Sequence, residues 1–131
     1  MVRKRVLRKS AVSKRKSKKH LGDSFEAQAL HELQLLGWSV LDTQYRTPYG
    51  EIDIVALKNT ILWFVEVKGS SRDSISYERV SKKKQLRIQR SVEHWLIEHE
   101  VEYEEMEIVV CFRTKDGLDW ICNAFDGIED D

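Results

Sequence analysis

The segment Gly50 to Lys68, GEIDIVALKNTILWFVEVK, constrains this chain more than any other. It reads as two β-strands joined by a short turn at Lys58-Asn59-Thr60, and it carries charge where a sheet wants apolar residues. Glu51 and Asp53 are two apart on the first strand and share a face; Glu66 and Lys68 are two apart on the second and share a face. Their neighbours Ile52, Ile54, Val55, Ile61, Leu62, Trp63, Phe64, Val65 and Val67 are all hydrophobic. Charge beside a core is costly unless it is paired or holds a metal. Two acids and a lysine on adjacent strands can hold a divalent cation and a water beside a phosphate. The plainer alternative is a cross-strand salt bridge from Asp53 to Lys68.

At 131 residues the chain has the length of one domain. No apolar run is long enough to span a bilayer. The formal charge is zero, yet ten of the 22 basic residues fall in residues 1–20 with no acid among them. The remainder then sets 12 basic residues against 22 acidic ones. This split predicts a basic, disordered arm over residues 1–20 and an acidic folded domain over 21–131. The arm lacks a signal-peptide apolar stretch, which argues against secretion, and its lysine richness fits a mitochondrial presequence poorly. Cys111 and Cys122 show no metal or redox spacing, so buried free thiols in a reducing cytoplasm are expected.

Helical spacing of Phe25, Ala29, Leu33 and Leu36 predicts a helix capped at Asp23 or Ser24 and ended by Gly37. A short strand follows at Trp38–Leu41, then a loop over Tyr45–Gly50 that contains the single proline, Pro48. Residues 69–77 are polar and read as a mobile connection. A second helix runs from a Ser81 cap to about Glu98, with Ile88, Val92, Trp95 and Leu96 as its buried stripe. Met106–Phe112 and Leu118–Ile121 read as a final pair of strands about a turn at Thr114–Gly117. The order helix, three strands, helix, two strands implies an α/β domain, a mixed central sheet flanked by helices. Trp38, Trp63, Trp95 and Trp120 read as core.

The second helix is charge-polarised. Arg79, Lys82, Lys83, Lys84, Arg87 and Arg90 come with no acid among them, whereas Glu93 to Glu107 holds seven Glu and no Lys or Arg. The basic half can contact a nucleic-acid backbone or be a solvated face. Glu26 is placed either toward the strand acids or as an exposed first-turn glutamate favoured by the helix dipole. Glu51 is a ligand, an acceptor for the 45–50 loop or solvated. The four histidines have no zinc spacing.

GDSFEAQALHELQLLGW, YRTPYGEIDIVA, FVEVKGS and VSKKKQLRIQRSVEHWL, in that order, resemble the YraN-like family of small bacterial proteins. That family is similar to the PD-(D/E)XK nuclease superfamily and, within it, to Holliday-junction resolvases. The resemblance runs from about Gly22 to the C-terminal DWICNAF segment. It implies a restriction-endonuclease-like fold, with Asp53 and Glu66 as metal ligands for Mg²⁺ or Mn²⁺ and Lys68 as the catalytic lysine. Glu26 matches the helix glutamate that often completes the metal or water shell of such a site, so it joins Asp53 and Glu66 as an expected metal residue, and Lys84 matches a lysine able to reach a phosphate. Ile52 stands where the superfamily signature names proline. Resolvase-like enzymes also act as dimers, so a homodimer is expected.

The functional expectation is a metal-dependent endonuclease acting on DNA, including branched or structured DNA. Its catalytic residues would be Glu26, Asp53, Glu66 and Lys68, with nucleic acid held by Arg79, Lys82, Lys83, Lys84 and Arg87. The alternatives are a nucleic-acid-binding protein without useful catalysis, and a module whose Glu93–Glu107 surface recruits a basic partner. No element fit to read bases is identifiable, so little sequence specificity is expected.

Overall fold

A computed structural model gives the fold, and it describes residues 6–9, 21–71, 82–114 and 116–122. The elements are β1 (Val6–Lys9), α1 (Leu21–Leu35), β2 (Ser39–Thr47), β3 (Gly50–Lys58), β4 (Ile61–Ser71), α2 (Lys82–Glu98), β5 (Glu105–Thr114) and β6 (Gly117–Cys122). They build one six-stranded sheet in the order β1-β6-β5-β4-β3-β2. Only β4 and β5 run parallel, and the crossover between them carries α2; all other neighbours are antiparallel. This is the α/β arrangement expected, a mixed central sheet flanked by helices.

The period of two in β4 distributes the core over both faces of the sheet. Trp63 and Val65 join Phe25, Ala29 and Leu33 of α1, together with Ile54, Ala56 and Trp120. Leu62 and Phe64 join Val92 and Trp95 of α2, together with Ile52 and Val55. All four tryptophans are buried, and Trp38 stacks on Trp63 with ring centroids 4.1 Å apart. Both cysteines are buried, and burial pushes the Cys111 thiol pKa well above its ordinary value, with Glu32 and Asp119 adding to the effect. No helix among the described residues is long and apolar enough to cross a membrane.

Several local readings change. Helix α1 begins at Leu21, ahead of the caps expected at Asp23 or Ser24. It closes as anticipated on Gly37, whose φ is +96°. There Trp38 N–H bonds Leu33 O at 3.0 Å and Gly37 N–H bonds Gln34 O at 3.1 Å, a Schellman closure. The segment expected as a loop over Tyr45–Gly50 is mostly strand: β2 continues to Thr47, and only Pro48 and Tyr49 separate it from β3. A register shift between Val40 and Asp42 and a positive φ of 50° at Gln44 break the alternation that would have revealed it. Similarly, β4 runs on to Ser71, into the segment read as a mobile connection.

The arm expected to be disordered contributes β1. Val6–Lys9 pairs antiparallel with β6, setting Arg8 opposite Asp119, so backbone pairing with an open sheet edge orders these four residues. The rest of the arm, Ser81 and the candidate contact Arg79 lie outside the described residues.

Candidate metal and nucleic-acid site

The ladder between β3 and β4 ends at the pair Ile54–Val65. Immediately beyond it, the Asp53 carboxylate accepts the Val67 N–H through Oδ2 at 2.8 Å. A side chain thus takes over where backbone pairing stops. Alternation also breaks here, because Ile52 and Val55, three residues apart, both pack on the α2 side. Gln44, with its positive φ, lies between the β2–β3 pairs Thr43–Ile54 and Tyr45–Ile52, and so sits opposite Asp53. Past Ile54–Val65 the β3–β4 ladder is broken while β2 and β3 stay paired, and a cleft lies beside the acid, between these strand ends and α2.

That cleft has a volume of about 260 Å³ and is lined by Tyr49, Gly50, Glu51, Asp53, Glu66, Lys84, Arg87, Ile88 and Ser91. Its floor comes from the ends of β3 and β4 and its wall from the first half of α2. Thr47 fixes the rim. Its Oγ1 accepts the N–H groups of Tyr49 at 2.9 Å and Gly50 at 3.1 Å, and lies 2.9 Å from Ser91 Oγ on α2. The hairpin tip is thereby tied to the helix. Arg90 lies over the Tyr49 ring at 5.8 Å.

Electrostatics mark Asp53 as the unusual group. Burial pushes its pKa up from 3.8 to about 7, opposed by the Val67 hydrogen bond and reinforced by Glu66, Glu26 and Glu51. Four carboxyls therefore share one field. Lys68 is held below its ordinary pKa by burial and then by the Lys84 ammonium, while Glu66 and Asp53 pull the other way. Lys84 Nζ stands 3.8 Å from Glu66 Oε2. A cation beside these acids would favour the charged form of Asp53 and displace its proton.

The sequence-selected residues divide accordingly. Asp53, Glu66, Lys84 and Arg87 line one cleft, and Lys68 lies within electrostatic reach of Asp53, Glu66 and Lys84. Glu26, half-buried on α1, acts on Asp53 through its charge. Among the described residues no three acids converge at metal-ligand spacing. The residues that could hold a cation are Asp53 and Glu66, which line the cleft together, with Glu26 and Glu51 acting on Asp53 through their charge. Such a pair suits Mg²⁺, which keeps several waters and needs only one or two carboxylates. The cross-strand Asp53–Lys68 salt bridge is not formed among the described residues; the acid bonds Val67 instead. Glu51 is exposed and faces Arg46 across the β2–β3 ladder. Lys82 and Lys83 are exposed at the start of α2, outside the cleft lining.

Sequence reasoning missed the Thr47–Ser91 tie and the Val67 donor. It also missed a polar cluster at the far end of α2. There the Tyr45 hydroxyl donates to Glu98 Oε1 at 2.6 Å and lies 3.1 Å from His94 Nδ1. Its pKa is pushed up to about 12 by desolvation and then by Glu98. Trp95 Nε1 donates to Asp42 Oδ2 at 3.1 Å, and His99 stacks on the Trp95 ring. Apart from His99 on Trp95, these partners are about fifty residues apart in sequence, and no local pattern announces them.

Comparison with known proteins gives the family. The family described as "Uncharacterised protein family UPF0102" matches residues 25–124, a span that holds Glu26, Asp53, Glu66, Lys68 and α2. A UPF0102 protein of Nitrobacter winogradskyi is 44% identical over 89 residues, covering 67% of this chain and 74% of its own. A UPF0102 protein of Alkaliphilus metalliredigens is 37% identical over 116 residues, covering 82% of this chain and 98% of its own. With most of its length matched by the family and by relatives of this kind, the chain belongs to the UPF0102 family.

Proposed function

We propose that this protein is a Mg²⁺- or Mn²⁺-dependent endonuclease that hydrolyses phosphodiester bonds in DNA, with branched or otherwise structured DNA as the substrate to test first. One observation carries the reading. The carboxyl of Asp53 is forced toward neutrality in a cleft shared with Glu66 and walled by Lys84 and Arg87. A protein that kept these acids only for folding would gain nothing from placing them together, since each destabilises the other's charge.

In this reading Asp53 and Glu66 hold the cation. When bound, it lowers the pKa of a water and offsets charge building up on the phosphate. Asp53 keeps its orientation through the Val67 N–H. Lys68, beside both acids and Lys84, orients the attacking water. Glu26 tunes Asp53 through its charge. Lys84 exchanges Glu66 for a phosphate oxygen, and Arg87 holds the backbone beside it. The acidic body opposes DNA binding, so the attraction comes from α2 and the basic arm.

The second reading is a nucleic-acid-binding protein that cuts nothing. It is favoured by the Lys84–Glu66 ion pair, which occupies a ligand. Cleavage of single-stranded, duplex, flapped and four-way DNA with Mg²⁺, Mn²⁺ or EDTA separates the two. Metal-dependent cutting that Glu66→Ala abolishes supports the enzyme. Salt-sensitive binding by both proteins without cutting overturns it in favour of the second reading.

A further inference from the structure

The outward ridge of α2 has no role in the cleft. Val92 and Trp95 bury one side of the helix on the sheet. The opposite side presents Leu86, Gln89, Arg90, Glu93, His94 and Ile97, which together with Tyr49 line a shallow depression of about 370 Å³. Ile97 is 82% exposed and Leu86 48% exposed. Leu86, Arg90, Glu93 and Ile97 follow one another at spacings of four, three and four, so they form a single stripe. Leu86 and Ile97, about three turns apart, are the exposed large apolar residues of α2.

The stripe is chemically self-complementary when reversed. Laying a second α2 antiparallel across the first, with the two-fold axis level with Ser91 and Val92, sets Leu86 opposite Ile97 of the second copy. The same register sets Arg90 opposite Glu93, and Gln89 opposite His94. Each contact occurs twice, as a two-fold interface requires. The wider charge pattern agrees, since the first half of α2 is basic and its second half holds Glu93 and Glu98, so an antiparallel pair sets basic half along acidic half. A parallel arrangement would set basic half on basic half.

We propose that two copies of this chain associate through an antiparallel α2–α2 contact, with aliphatic ends formed by Leu86 and Ile97 and a central pair of Arg90–Glu93 bridges. This rests on the ridge alone and stands or falls independently of the nuclease reading. The contact is one helix wide, so the dimer is a weak one, with association read over about 10 to 300 µM.

Sedimentation equilibrium of the full chain tests it. Wild type shifts from monomer to dimer with concentration. Arg90→Glu and Glu93→Arg, both at exposed positions, each weaken association at least tenfold by setting like charges together. Mixing the two variants restores a dimer, because each copy then meets its opposite charge at both crossings. Ile97→Asp, with an unchanged circular-dichroism spectrum, also yields monomer. The proposal is overturned by a wild type that stays monomeric throughout, which would leave the ridge to a different partner. It is equally overturned by a dimer that neither single variant weakens, or by single variants that do not recombine.

Discussion

Asp53 and Val67 are bound carboxylate to amide at 2.8 Å, one step past the last backbone pair between β3 and β4. This bond makes the acid part of the sheet's hydrogen bonding and part of the cleft at once. The carboxyl cannot turn to solvent without leaving a backbone donor unpaired, so it stays among the other acids.

The cost should be visible in the metal-free protein. The Asp53 pKa rises from 3.8 to about 7 on folding, so the folded state binds its proton more tightly than the unfolded chain. Stability from this group is therefore present below about pH 4 and lost as pH rises through 7. Asp53→Asn, which keeps an acceptor for Val67, should stabilise the protein in EDTA at pH 8 by on the order of 1 to 2 kcal/mol, after discounting for partial exposure. At pH 4.5 the gain should nearly vanish. Thermal unfolding across that range decides it, and a gain independent of pH would refute the assignment.

Metal uptake should release that proton. Titrating Mg²⁺ or Mn²⁺ calorimetrically at pH 7 in two buffers of different ionisation enthalpy should give different apparent heats, and the difference should shrink by pH 8.5. Saturation at ten times Kd should stabilise the fold by about 1.4 kcal/mol, lost in Glu66→Ala. Equal heats in both buffers at pH 7 would mean that Asp53 is not the ligand.

Much of this was legible in sequence, and the rest was hidden for identifiable reasons. The apolar run Ile61–Val65 after a short turn announced a strand buried on both faces, and the two-residue spacing of Glu66 and Lys68 set them on one face. The spacing of Val92 and Trp95 announced α2 in the same way. The strand character of Tyr45–Thr47 was masked by the irregularity at Leu41 and by Gln44, which spoil the period while keeping the pairing. Nothing local foretold β1, whose order comes from the β6 edge. Asp53 and Glu66 could be chosen from sequence, but the perturbation of Asp53 comes first from its burial, with Glu66 and then Glu26 of α1 adding to it, and tertiary packing sets all of these.

The core offers a separate test. Trp63 Nε1 donates to the buried Glu107 Oε1 at 2.7 Å. Trp63→Phe removes the donor and strands a buried carboxylate, so it should cost about 3 kcal/mol or more, combining lost contact area with an unsatisfied acceptor. In the background of Glu107→Gln the same change should cost about 1 kcal/mol less, because a neutral amide tolerates the loss better. A double-mutant cycle in urea reads the coupling, and strictly additive costs would show that the hydrogen bond contributes nothing.

Lys84 separates stability from activity. It is 44% exposed on its side chain, and its ion pair with Glu66 is loose at 3.8 Å. Lys84→Ala should therefore change folding free energy by less than about 0.5 kcal/mol. If the cleft cuts DNA, the same change should lower cleavage by roughly 10- to 100-fold through lost phosphate stabilisation. A variant as active as wild type would remove Lys84 from the site without touching the roles of Asp53 and Glu66.

The basic arm can be tested without damaging the sheet. Deleting residues 1–20 would also remove β1 and bare the β6 edge, confounding charge with fold. Replacing Lys14, Arg15, Lys16, Lys18 and Lys19 by Gln leaves β1 intact and removes five charges. If these residues meet phosphates, the slope of log K against log salt should fall by up to about 4.5 for duplex DNA, and affinity at low salt should drop regardless of sequence. Fluorescence anisotropy over a salt series measures both. An unchanged slope would leave α2 as the source of the attraction, and Lys82→Gln with Lys83→Gln should then flatten it instead.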